Sequence, residues 1–152
     1  MLIKEYKAPA KINLGLYLMD KRPNGYHELA SIFLQLEFHD LVRVELSDAD
    51  GLDIKTSGPY ANVCSDLKKN TIYKAYQTLK SSFNIKGGFK VFLEKNIPAQ
   101  AGLGGGSSDA AAFMRAINDL LELGLSTTEL QTLALNVGAD VPFFIRAQAA
   151  FV

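Results

Sequence analysis

Residues 98–108 read Pro98-Ala99-Gln100-Ala101-Gly102-Leu103-Gly104-Gly105-Gly106-Ser107-Ser108 and run straight into Asp109-Ala110-Ala111-Ala112-Phe113. A segment with four glycines and so few large side chains cannot serve as a core strand. It has to be a loop, and one whose backbone amides lie open to a partner that Cβ atoms would otherwise hold off. The next stretch is helical: Phe113, Ile117 with Ala116, and Leu120 with Leu121 recur at helical spacing, the three alanines favour the state, and Gly124 supplies a stop. The spacing predicts a helix of about four turns beginning near Ser107. Its first amides lack intrahelical acceptors and its dipole puts partial positive charge at that end, so Ser107, Ser108 and a bound phosphate suit the position. The segment therefore reads as a phosphate cradle.

Two commoner glycine motifs are excluded. A Walker loop needs Gly-Lys-Ser/Thr after its spacer, whereas Gly106 is followed by Ser107 and Ser108 and the loop contains no lysine. A dinucleotide fingerprint counted from Gly102 would demand glycine where Ser107 stands. A plain flexible linker before a capped helix is the remaining alternative. Linkers, however, have longer Gly/Ser tracts and polar neighbours, and this loop sits between an apolar strand pattern and an apolar helix.

The partner expected of such a loop is small. In 152 residues, 16 Lys and Arg balance 16 Asp and Glu, which gives no field suited to a long polyanion or an acidic membrane. The length suits one domain. Cys64 is the only cysteine, so an internal disulfide and a cysteine-based zinc cluster are excluded and a reducing compartment is expected. No apolar run approaches a membrane span. Residues 12–19 are interrupted by Asn13 and Gly15 and followed by Arg22-Pro23-Asn24-Gly25, which is unlike a signal peptide. A cytoplasmic location is expected, or the plastid stroma in a plant, with no transit peptide seen.

Along the chain, residues 2–7 and 11–18 read as strands, the second alternating Ile12, Leu14, Leu16 and Leu18 against Asn13, Gly15 and Tyr17. Pro23-Asn24-Gly25 is a turn. Ile32, Leu34, Leu36 and Phe38 alternate again, then Val42, Val44 and Leu46, with a short strand over 52–55 after them. This first part looks antiparallel in style. Asn70 can cap a helix carrying Ile72, Ala75, Leu79 and Phe83, and Gly87-Gly88 precedes a strand with Phe89, Val91 and Leu93 on one side. Ser126-Thr127-Thr128-Glu129 matches a capping box for a helix whose buried stripe is Leu130, Leu133, Ala134 and Val137, ended by Gly138. Strands followed by helices imply α+β layers. Residues 141–152 are nearly all apolar and read as a chain cut within a strand.

Four segments in order carry a resemblance: Pro9-Ala10-Lys11-Ile12-Asn13-Leu14, Arg22-Pro23-Asn24-Gly25-Tyr26-His27-Glu28-Leu29, the 98–108 loop, and Gly138-Ala139-Asp140-Val141-Pro142-Phe143-Phe144. They are similar to the motifs of the GHMP kinase superfamily. The first two point to the branch that acts on a cytidine-carrying alcohol. Asn24 stands where an acidic residue is common, a change that a turn tolerates. The resemblance implies a two-layer α+β sandwich of the GHMP kinase N-terminal domain type, ribosomal-protein-like, over residues 1–152, with the C-terminal domain absent and the piece slow or inactive alone. It implies ATP-dependent phosphorylation of the 2-hydroxyl of a cytidine-diphosphate-linked methylerythritol in non-mevalonate isoprenoid precursor biosynthesis. Two alternatives stand beside it: a GHMP kinase acting on a mevalonate derivative, homoserine or a sugar, and a non-catalytic anion- or RNA-binding module.

The resemblance also assigns residues. Asp140 would accept or orient the proton of the substrate hydroxyl; read alone it would cap the turn at Pro142. Lys11 would lie near that aspartate and the transferred phosphate, where a unit charge pair at about 4 Å and a dielectric near 20 is worth roughly 4 kcal/mol before desolvation. Read alone it would be a strand lysine pointing to water. Asn13, two residues on, shares its strand face. Tyr26 and His27 match the cytidine-recognition pair and Phe33 is expected to complete an aromatic stack on the pyrimidine. Loop residues Pro98 to Ser108 would bind ATP, with Ser108 offering its hydroxyl to the nucleotide's Mg2+. Amide bonds to phosphate, roughly 1.5 to 3 kcal/mol each, would outweigh the dipole at about 0.3 to 1 kcal/mol. Lys95 and Asn70 fall near positions that help hold the adenosine.

Overall fold

The computed structural model describes residues 2–21, 27–64, 66–146 and 150–151. Two long antiparallel strands dominate, β1 (Ile3–Lys21) and β2 (His27–Ser47). The sequence pattern divides each of them into two pieces, and the reason lies in one irregularity. Cα pairing steps from Pro9 opposite His39 to Lys11 opposite Gln35, so β2 spends more residues than β1 across the gap. A bulge of this kind re-aims side chains. Before it Ala8 and Ala10, with Asp40, Val42 and Val44, are buried; after it Lys11 and Phe33 are buried instead. Pro9, which has no N–H for the ladder, sits where a bulge makes none necessary.

A consequence is that the apolar alternation of residues 12–14 and 32–34 lies on the sheet's outer face: Leu14 is 48% and Ile32 43% exposed, while polar Lys11 is 6% exposed. The alternation identifies the strands, but the helix-covered side is the one carrying Lys11.

β4 (Gly88–Glu94) pairs antiparallel with β2, and β3 (Gly51–Ser57) pairs parallel with β4, giving the order β1-β2-β4-β3, with a two-residue β5 (Ala150–Phe151) on β2 at Ile32 and Phe33. The parallel pair departs from the antiparallel style expected. It results from the helix between β3 and β4, since parallel neighbours require a crossover.

That helix is α1 (Thr71–Phe83), opened by Asn70, whose Oδ1 accepts the Ile72 amide at 2.9 Å. α2 (Gly105–Leu120) begins two residues before the expected start, with Gly104 as its N-cap. α3 (Thr127–Ala134) carries the expected capping box between Ser126 and Glu129. The apolar segment expected as a strand over 141–152 is instead a helix in its first part, α4 (Val141–Arg146). Pro142 suits a first helical turn, where a missing N–H costs nothing, and Val141, Phe143, Phe144 and Ile145 are buried because this short helix is packed on several sides.

The helices cover one face of the sheet, making the expected α+β layers. Val42, Val44, Val91 and Leu93 from the strands meet Ile72, Leu79, Phe113, Met114 and Ile117 from the helices in one cluster. Tyr76, Phe89 and Phe113 link α1, β4 and α2 by edge-to-face contacts at centroid distances of 6.1 Å. Among the described residues no helix is long and apolar enough to cross a membrane.

Candidate active site

The glycine loop joins β4 to α2 and is tied down at three points. The Lys11 amide of β1 donates to Leu103 O at 2.9 Å, and the Thr71 hydroxyl at the start of α1 donates to Gly106 O at 2.5 Å. The first backbone bond of α2 runs from Ser108 N to Gly104 O, and among the described residues no side chain caps the helix. The amides of residues 105–107 are thereby left without intrahelical acceptors, the arrangement that favours an anion. They border a cavity of ≈ 470 Å3 lined by residues 98–107 together with Asp66, Lys69, Asn70, Thr71, Lys95 and Asp109.

The glycines have a second reason to be there. Gly104 holds φ +70°, and a Cβ on it would meet Phe144 Cζ at 2.8 Å and Lys11 Cγ at 3.0 Å; one on Gly105 would meet Ile97 Cγ2 and Lys95 Nζ, each at 2.9 Å. The turn is therefore glycine partly to admit this chain's own side chains, whereas Gly102, at φ +74°, has nothing within 4 Å. Ser108 stands apart from the cavity lining: it is 1% exposed, and its Oγ has no hydrogen-bond partner among the described residues.

At the Gly104 end of the turn, three residues expected of the site come together. Lys11 Nζ donates to Asn13 Oδ1 at 2.6 Å and lies 3.7 Å from Asp140 Oδ2. Beneath it the ammonium rests on the Phe33 ring, 4.1 Å from the centroid. The Lys11 side chain is 7% exposed and that of Asp140 38%, so the pair has one sealed and one open member. Solvent reaches Asp140 and screens the attraction, which lowers it below the unscreened figure. Among the described residues no hydrogen bond ties the Asp140 carboxylate to α4; it faces Lys11 rather than capping the turn at Pro142.

The resemblance places Phe33 in a stack on a pyrimidine; in this structure the residue is 6% exposed and lies under the Lys11 ammonium, with Phe143 edge-on at 5.2 Å. Tyr26 lies outside the described residues, and of His27 only the backbone, which opens β2, is described.

The opposite end of the turn holds a cluster that sequence reasoning missed. Lys95, 3% exposed, donates to Asp109 Oδ2 at 2.8 Å and to Asp40 Oδ2; Asp40, fully buried, also accepts the amides of Asn96 at 2.6 Å and Ile97 at 2.7 Å through Oδ1. Burial pushes the Asp109 carboxyl up to about 8, opposed by the Lys95 ammonium and reinforced by Asp40. Burial alone would lower the Lys95 pKa, but the two carboxylates outweigh it and the ammonium is held above its usual value. Burial and the neighbouring Asp40 thus favour the protonated form of Asp109, and the Lys95 ammonium opposes them. The available signal was a pair of carboxylates, Asp40 and Asp109, in otherwise apolar patterns.

The match to the GHMP kinases N terminal domain spans residues 70–148, just over half of the chain. The chain belongs to the GHMP kinase family. It is 43% identical over 145 residues to 4-diphosphocytidyl-2-C-methyl-D-erythritol kinase of Enterococcus faecalis, covering 95% of this chain and 50% of that protein. A crystal structure of 4-(cytidine 5'-diphospho)-2C-methyl-D-erythritol kinase superposes with a TM-score of 0.82 at 39% identity, over 98% of this chain and 51% of that one. Homoserine kinase from Cytophaga hutchinsonii shares the fold, with a TM-score of 0.67 at 20% identity over 89% and 40% of the two chains. The chain spans about half the length of the curated relatives it matches.

Proposed function

We propose that residues 1–152 form the ATP-binding part of a kinase that phosphorylates the 2-hydroxyl of 4-diphosphocytidyl-2-C-methyl-D-erythritol in non-mevalonate isoprenoid precursor biosynthesis. The observation that carries this reading is the Lys11–Asp140 pair, 3.7 Å apart, standing at the Gly104 end of an uncapped helix start. An acid–base group and a fixed cation thus sit beside an anion-ready row of amides, the minimum that phosphoryl transfer asks of a protein. Identity of 39–43% to kinases named for the cytidine-linked alcohol supports that substrate over mevalonate derivatives, homoserine or sugars. The even charge balance disfavours an RNA-binding module.

In the mechanism, the amides of residues 105–107 hold the β-phosphate of ATP in the cavity. Asp140 takes the proton of the 2-hydroxyl as that oxygen forms its bond to the γ-phosphorus; the bond from the γ-phosphorus to the bridging oxygen breaks, and the electron pair leaves with ADP. Lys11, fixed by Asn13 and Phe33, balances charge on the transferred group. Mg2+ is assigned to the nucleotide phosphates, as a hard cation that keeps several waters and binds through phosphate oxygens. Ser108 would hold that ion by turning toward the cavity, since its buried Oγ, without a hydrogen-bond partner among the described residues, lies outside the lining here; the ion would neutralise charge on the phosphates. Tyr26 and His27 are assigned to the cytidine.

The test is a phosphorylation assay on the full-length protein with the cytidine-linked alcohol beside mevalonate and homoserine. ATP-dependent turnover of the first alone is expected. Turnover of mevalonate or homoserine with none of the cytidine-linked alcohol would overturn the substrate assignment.

A further inference from the structure

The cluster of Asp40, Lys95 and Asp109 is an odd thing to bury for stability alone. A sealed ion cluster often contributes no more than a well-packed apolar replacement would, because desolvation offsets the Coulomb gain. Its placement gives it another use. Asp40 grips the chain just before the glycine loop, at the Asn96 and Ile97 amides, and Asp109 sits in α2 just after it. Lys95 bridges the two carboxylates, so both ends of the loop are fastened to one ammonium. The Lys95 backbone is itself fixed, its N–H donating to Ser57 O at 2.8 Å and its carbonyl accepting from Tyr60 at 3.2 Å. Its Nζ lies 2.9 Å from where a Cβ on Gly105 would stand, directly against the first residue of the helix.

We propose that Asp40, Lys95 and Asp109 are positioning residues for nucleotide binding: a buried clasp whose lysine fixes the first turn of α2 in the geometry that presents the amides of residues 105–107 to a polyphosphate. The clasp acts through the loop and takes no part in proton transfer. Its loss should therefore be felt in nucleotide affinity and leave the handling of the alcohol largely intact. The inference rests on the reading of the cavity as the ATP site.

The experiment uses the full-length protein and compares Lys95→Met, Asp109→Ala and Asp109→Asn with wild type. ADP binding is measured by calorimetry alongside steady-state kinetics, and thermal unfolding controls for folding. Loosening a preorganised turn is expected to weaken ADP binding and raise the KM for ATP by about tenfold or more in Lys95→Met and Asp109→Ala, with the KM for the alcohol within about threefold. Asp109→Asn keeps a carbonyl oxygen to accept from Lys95 and should recover most of the loss seen with alanine. Folded Lys95→Met with wild-type ADP affinity would overturn the clasp, as would an Asp109→Asn variant no better than Asp109→Ala. If Lys95→Met fails to fold, the Asp109 pair decides alone. Wild-type protein that binds no ADP would sink the ATP-site reading itself, a distinguishable failure.

Discussion

Two lysine–aspartate groups flank the glycine turn, and they differ in access to water. At one end Lys11 meets Asp140, whose side chain is 38% exposed; at the other Lys95 meets Asp40 and Asp109 with every side chain at 4% or less. The same pair of residue types therefore serves two purposes. A carboxylate that solvent and substrate can reach can pass a proton to or from a bound hydroxyl, whereas one enclosed with its partner is out of a substrate's reach and holds its surroundings in place. Exposure, more than residue type, separates the group suited to chemistry from the group suited to positioning.

Substitutions can break that contrast, and the largest effect is expected at the open end. Asp140→Asn and Lys11→Met in the full-length protein should each lower kcat by about 10²- to 10⁴-fold while ADP affinity stays within a few-fold. Parallel loss of binding and rate, seen by calorimetry and single-turnover kinetics, would move the pair into the scaffold. Next comes the turn between the two groups. Gly104→Ala places a Cβ against Phe144 and Lys11 at φ +70° and is expected to cost about 1–3 kcal/mol in denaturant unfolding. Unchanged stability would mean that the turn yields freely.

The closed end gives a pH signature. The Asp109 carboxyl is raised in the folded state to about 8, from 3.8. The folded protein then binds more protons than the unfolded chain between these values, so this group's contribution is complete below about pH 4 and is lost as pH rises toward 8. Asp109→Asn cannot titrate, and its stability relative to wild type should improve steadily across that window in urea titrations. A constant difference would refute the raised Asp109 carboxyl. The smallest effect belongs to a pair on the outer face, Arg43 with Glu5 at 2.7 Å, both about half exposed. Arg43→Ala should cost less than about 0.5 kcal/mol, since such pairs are screened. A larger loss would weaken the use of exposure as the dividing line.

Much of this was legible in the sequence because it depends on neighbours in the chain. The caps at Asn70 and Ser126 and the glycine turn before an alanine-rich helix are local signals, and structure and pattern agree on them to within two residues. Lys11 and Asn13 share a face by the two-residue repeat of a strand, and the resemblance brings Asp140 to them. What the pattern misses depends on pairing across the sheet. The irregularity between Pro9 and Lys11 decides which side of β1 and β2 faces the helices, and alternation along one strand carries no trace of it. Hence Phe33, inward after the bulge, lies under Lys11. Asp40, inward before it, meets a lysine 55 positions away. The helix at Val141–Arg146 was hidden for a different reason: a short helix buried on several sides has no polar stripe, and its composition matches that of a buried strand.

The most direct test is a crystal structure of the full-length protein with ADP. The β-phosphate oxygens are expected within hydrogen-bond reach of the amides of Gly105, Gly106 and Ser107, about 2.7–3.2 Å, with Lys11 and Asp140 beyond them on the Gly104 side. A diphosphate bound elsewhere on the protein, with those amides facing solvent, would contradict the assignment of the turn as the phosphate site.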